Sequence, residues 1–185
     1  MLLFLGIPMS LLAMSVVFGR PIDLHEDFET GKYKGQAGSS NVAHLYLYEK
    51  NPESWEIVAG GAWGKMKYNV AGSTFNFTFN GHRLEQNVEY SLIYYIDPGP
   101  GTWTVPPDIV VLATGTCNRG GNLHLSGNVD TGPIPHETDV NYPRGGKIWL
   151  VLTEDIDVEA SKFKWAWNPT EYLFEYDLIT FEHAD

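Results

Sequence analysis

"STFNFTFNG", residues 73–81, decides the fold. Phe75, Phe77 and Phe79 alternate with Asn76, Thr78 and Asn80, and a period of two sends the three rings to one face of an extended strand and the polar side chains to the other. One face meets a core and the other meets water. The preceding stretches keep the same beat. In "KMKYNV" (65–70) Met66, Tyr68 and Val70 oppose Lys65, Lys67 and Asn69, and in "HLYLYEK" (44–50) Leu45 and Leu47 share a face.

Further along, "EYSLIYYI" (89–96), "DIVVLATGTC" (108–117), "NLHLSGNV" (122–129), "KIWLVLTE" (147–154) and "YLFEYDLITF" (172–181) read as strands. "FNGHR", "NRGGN" and "YPRGG" separate them as turns. "NRGGN" predicts a hairpin with Cys117 and Leu123 across it. No window carries a capped helical stripe, and "NPESWEIV" (51–58) offers one turn at most. The pattern predicts an all-β fold: an antiparallel β-sandwich of eight or nine strands, Ig-like or jelly-roll-like in outline, with a closed barrel as the alternative.

The chain has 185 residues, enough for one domain with a sizeable core. "MLLFLGIPMSLLAMSVVFG" (1–19) is uncharged and apolar almost throughout. It reads as a signal peptide with Val17 and Gly19 before the cleavage point, or as a retained N-terminal anchor. Residues 20–43 are polar and Gly/Ser-rich, a flexible arm ahead of a domain spanning 44–185. The expected location is therefore extracellular or at the cell surface, with membrane contact only through residues 1–19 if they stay attached. Cys117 is the single cysteine, so an exported chain must be stabilised by its core and not by an internal disulfide. A buried thiol near a strand end is the expectation for it.

The formal charge of −11 repels phosphate backbones, so nucleic acid is not an expected partner. Nucleophile elbows, phosphate loops and dinucleotide fingerprints are absent from the sequence, and nothing selects two of its 23 carboxylates for acid–base work. A hydrolase with an acidic site remains the last of three functional expectations.

Candidate binding residues lie in the connections 97–108, 130–146 and 162–170, of which the first two exceed ordinary loop length. Trp103 sits in a proline-stiffened loop, and Trp165 and Trp167 share a face if their stretch is extended. Exposed indoles on stiff loops offer flat faces to sugar rings; Tyr142 in the second loop completes the set. The bland alternative is that each indole folds back to close the core. Trp149, inside "KIWLVL", reads as core. Asp155, Asp157 and Glu159 in "TEDIDVEA" would alternate onto one side and could hold Ca²⁺, without the spacing of a known calcium loop. None of the six histidines has metal-ligand spacing. "NFT" (76–78) is an N-glycosylation acceptor on the outward face of the Phe strand.

"LYEKNPESWEIVAGGAWGKMKYN", "FNGHRLEQNVEYSLIYY" and "NYPRGGKIWLVLTEDID" together resemble a group of uncharacterised exported proteins of archaea and some bacteria, over residues 45–180. The resemblance implies export and an all-β domain, and brings no activity or site residue with it. The leading functional expectation is a non-catalytic binding or structural module outside the cell, its partner a polysaccharide or a cell-surface protein. A self-assembling surface-layer, filament or adhesion component is the alternative.

Overall fold

The computed structural model describes residues 41–99, 106–164 and 167–184. The expectations for residues 1–40, for Trp103 and for Trp165 lie outside the described residues. Ser40–Asp185 forms one compact unit. Among the described residues the strands are β1 (Val42–Tyr48), β2 (Trp63–Asn69), β3 (Ala71–Gly72), β4 (Phe75–His82), β5 (Glu89–Tyr95), β6 (Ile109–Thr116), β7 (Leu123–Val129), β8 (Lys147–Leu152), β9 (Ile156–Asp157), β10 (Lys162–Phe163), β11 (Leu173–Glu175) and β12 (Glu182–His183). The first strand starts two residues ahead of the boundary expected at His44.

Eight of these strands form one antiparallel ladder in the order β6-β5-β8-β11-β1-β2-β4-β7. All-β architecture and a main sheet of eight strands agree with the sequence. The ladder is continuous and curls until its two outer strands meet, which makes it nearly barrel-shaped. Glycines permit that approach: a Cβ on Gly127 of β7 would lie 3.1 Å from the Leu112 carbonyl of β6, and one on Gly115 of β6 would lie 2.7 Å from Leu125 of β7. The "NRGGN" turn does form, with the Asn118 N–H donating to the Asn122 carbonyl at 2.9 Å. The hairpin ladder expected on either side of it does not. β6 pairs with β5 and β7 with β4.

The interior is the face that alternation assigned. Phe75, Phe77 and Phe79 are buried, as are Leu45, Leu47, Met66, Leu92, Leu150 and Leu173. Phe181 meets Phe75 edge to face at 5.4 Å, closing one end. "YLFEYDLITF" yields only the three-residue β11. Beyond it the chain makes single bridges, Ile179 to Gly146 and Phe181 to Ile134, which pin the loop 130–146 instead of extending the sheet. The same loop is held from inside by Tyr94, whose hydroxyl donates to Asp139 at 2.9 Å and accepts the His136 N–H at 2.9 Å. Cys117 is buried, and burial pushes its thiol pKa up.

The two halves of the ladder differ on their outer side. β4 alternates strictly between buried and exposed along most of its length, whereas β5 and β8 are buried at nearly every position. The segment containing β9, β10 and residues 167–172 lies over β5 and β8. It brings Phe163 edge-on to Tyr95 and Trp149, and buries Ile156 and Tyr172. Among the described residues no comparable cover lies over β1, β2, β4 and β7, whose outward residues are exposed or half-buried.

Candidate functional site

Pairing register brings aromatic side chains from five strands into one row. Trp149 on β8 stands opposite Phe174 on β11, Phe174 opposite Tyr48 on β1, Tyr48 opposite Trp63 on β2, and Trp63 opposite His82 on β4. Residues directly opposite each other share a face with Cβ atoms about 5 Å apart, so the five rings lie in one row on that face. Trp149 and Tyr95 stack at 4.0 Å and 10°, Trp149 meets Phe174 edge-on at 5.2 Å, and Trp63 lies 4.6 Å from the His82 ring. The strip is dry at its β8 end, where Trp149 and Phe174 are buried, and wet from Tyr48 to His82.

Two exposed indoles flank the point where the strip emerges. Trp55 and Trp167 are 51% and 46% exposed, and both pack on Phe174, at 4.8 and 6.2 Å between ring centres. Trp167 also touches Trp149, Phe163 and Tyr172. It therefore packs against the covered half while part of its indole stays exposed to solvent. Trp55 was not singled out by sequence. It sits in the turn 51–57, closed by the Lys50–Ile57 bridge and by the Asn51 side chain accepting the Glu53 and Ser54 N–H groups. Its φ of 63° is left-handed, a conformation that costs a bulky residue energy and persists only where surrounding bonds impose it.

Tyrosines widen the strip along β1. Tyr46 stacks on Tyr48 at 6.2 Å, the exposed Tyr176 meets Tyr48 edge-on at 6.0 Å, and Lys65 lies 5.3 Å over the Tyr46 ring. The next two rows of the face are polar. Tyr46, Lys65, Asn80 and His124 are aligned in one, and His44, Lys67, Thr78 and Ser126 in the other. His124 and Asn80 are joined by a 2.8 Å hydrogen bond. The pKa of His44 is lowered by partial burial and by the neighbouring Lys65 and Lys67 charges.

A carboxylate lies beside the dry end. Glu175 accepts the Trp149 indole N–H at 2.5 Å, while Lys50 donates to the Glu175 carbonyl at 2.9 Å. Burial pushes the Glu175 pKa up to about 7, with Lys50, Lys147 and the indole offsetting only part of that cost. Lys147 is itself engaged by Asp97 at 2.5 Å. Burial would raise the Asp97 pKa, but the Lys147 and Gly99 hydrogen bonds outweigh it and hold the carboxyl low.

The other residues singled out by sequence are dispersed. Tyr142 is exposed in the pinned loop 130–146, its N–H on the Asp139 carbonyl, and among the described residues no ring contact ties it to the strip. Asp155, Asp157 and Glu159 do not converge. A 3₁₀ turn at Thr153–Asp155 breaks the expected alternation. Asp155 points inward to accept the Tyr172 hydroxyl at 2.5 Å and both carboxylate oxygens take the Asn168 amide, while Asp157 caps the Ala160 N–H and Glu159 is exposed in the next turn. Among the described residues no group of three His, Cys, Asp or Glu is placed to hold a metal ion. Asn76 is exposed on the outer face of β4. A polar cavity of about 300 Å³ lies near β11, but Arg83 in its lining donates to the Gly60 carbonyl and Glu49 accepts the Ala62 N–H. Among the described residues no helix is long and apolar enough to cross a membrane.

No family model, no curated protein and no solved structure matches the chain.

Proposed function

We propose that this domain is an exported, non-catalytic binding module, and that its ligand is a polysaccharide laid along the aromatic strip. One observation carries the reading: a row of rings set by strand register, buried at one end and open at the other, with Trp55 and Trp167 exposed beside the point of emergence. Sugar rings present flat C–H faces that stack on aromatic rings, and rings fixed by a sheet lose little entropy on binding. Exposed Asn80, Thr78 and Ser126 beside the strip supply donors and acceptors for hydroxyl groups. In fold terms the proposal takes the curled ladder as a sandwich in outline, with β6, β5, β8 and β11 as one half and the wet strands as the other.

The test is intrinsic tryptophan fluorescence of the purified protein titrated with soluble polysaccharides, repeated with Trp63→Ala and Trp55→Gly. A saturable change with at least one glycan, weakened tenfold or more by Trp63→Ala, is the expected result. Absence of a response across neutral and charged glycans alike would overturn it.

A further inference from the structure

We propose that the glycan is anionic, a polymer bearing carboxylate or sulfate groups, held on the outer face of β1, β2, β4 and β7. The inference rests on the reading of the aromatic strip as a sugar platform and names its substrate class. Its starting point is a mismatch between this face and the rest of the chain. The protein carries 23 acidic residues against 12 basic ones. Yet β1, β2, β4 and β7, "VAHLYLY", "WGKMKYN", "FNFTFNGH" and "LHLSGNV", contain no Asp or Glu at all.

What those strands do carry is of the other sign or neutral. Lys65 and Lys67 lie on adjacent outward positions of β2, flanked across the ladder by His44 on β1 and by Asn80 and Thr78 on β4. Lys67 and His44 are exposed, and no salt bridge among the described residues takes up either lysine. Lys65 is steered by the Tyr46 ring and not by a carboxylate. In a molecule of net charge −11, two lysines left without acidic neighbours on these strands form a local positive island beside stacked aromatic rings.

The combination selects the ligand. Rings of Tyr46, Tyr48 and Trp63 take the flat faces of successive sugars, and Lys65 and Lys67, one and two rows away, meet charged groups carried on those sugars. A carboxylate or sulfate approaching from solvent finds no acid on these four strands to repel it. Single-stranded nucleic acid also stacks on aromatic platforms, but its affinity depends on many Lys and Arg contacts to phosphate. Here two lysines work against an acidic chain, and the surrounding exposed amides and hydroxyls match a hydroxyl-rich polymer better.

The experiment compares three probes at low and moderate salt with the full chain: polygalacturonate, the same polymer fully methyl-esterified, and a single-stranded oligonucleotide. Polygalacturonate is expected to bind, to lose at least tenfold in affinity on esterification, and to weaken as salt rises. The double variant Lys65→Ala/Lys67→Ala is expected to lose at least tenfold toward polygalacturonate, to lose less toward the ester, and to keep its unfolding midpoint. Equal binding of acid and ester would overturn the anionic assignment and leave the sugar platform standing. Tighter binding of the oligonucleotide than of polygalacturonate would also overturn it. Failure of both glycans together with a neutral panel would remove the platform itself.

Discussion

The covered and wet halves of the ladder use the same kinds of residue to opposite ends. Over β5 and β8, Tyr95 and Trp149 stack on each other and are sealed edge-on by Phe163, against which Tyr172 packs in turn. Over β1 and β2, Tyr46, Tyr48 and Trp63 belong to the same outer face and are left partly open. The cause is the chain that packs over each strand pair. "IDVEASKF" and residues 167–172 turn back over β5 and β8, whereas the connection 49–62 between β1 and β2 folds locally into the closed turn 51–57, whose Trp55 packs on Phe174. An aromatic residue on an outward strand position is thus buried or open to solvent depending on cover supplied from elsewhere in the chain, as Phe163 covers Tyr95.

Substitutions at matched positions break or sharpen this contrast. The largest effect is expected for Trp149→Ala, which removes a buried indole stacked on Tyr95 and leaves Glu175 without its donor. A loss of about 3–5 kcal/mol in denaturant unfolding is expected from the cavity alone. Asp155→Ala should come next. It strips the Tyr172 hydroxyl and the Asn168 amide of their shared acceptor beneath the covering segment, costing about 2–4 kcal/mol. Enhanced proteolysis within 156–172 is the second readout, since that segment loses its anchor.

A smaller, pH-dependent effect belongs to Glu175. Its pKa in the folded protein, about 7, lies above its ordinary value of 4.5. Stability tied to this group is therefore fully present below the lower value and declines as pH rises through the upper one. Glu175→Gln keeps an acceptor for the Trp149 indole and removes the titration. The variant should be more stable than the parent by roughly 1–3 kcal/mol at pH 8 and no more stable at pH 4. Taking the difference between the two proteins cancels Asp97, whose lowered pKa acts in the opposite sense at acid pH.

Much of the fold was legible in the sequence because alternation is local. Phe75, Phe77 and Phe79 announce their own strand, and β5 to β8 lie where their apolar runs place them. The site was legible only in part. Tyr46 and Tyr48 stand in the phase opposite Leu45 and Leu47, so their outward aim could be read. Their alignment with Trp63, Phe174 and Trp149 could not, since it depends on the register of strands far apart in the chain. Trp55 was hidden because its left-handed backbone is imposed by Asn51 and the Lys50–Ile57 bridge, not by its own preference. The acidic run 154–159 misled because alternation was assumed across a 3₁₀ turn that sends Asp155 inward.

The measurement that tests the central claim most directly pairs stability with binding for Trp63→Ala. The wet strip is expected to serve contact and not cohesion. The variant should therefore unfold within about 1 kcal/mol of the parent, as half-exposed positions do, while losing at least tenfold in glycan affinity. A loss of stability comparable to that of Trp149→Ala, with glycan binding unchanged, would contradict the account and make the wet strip part of the core.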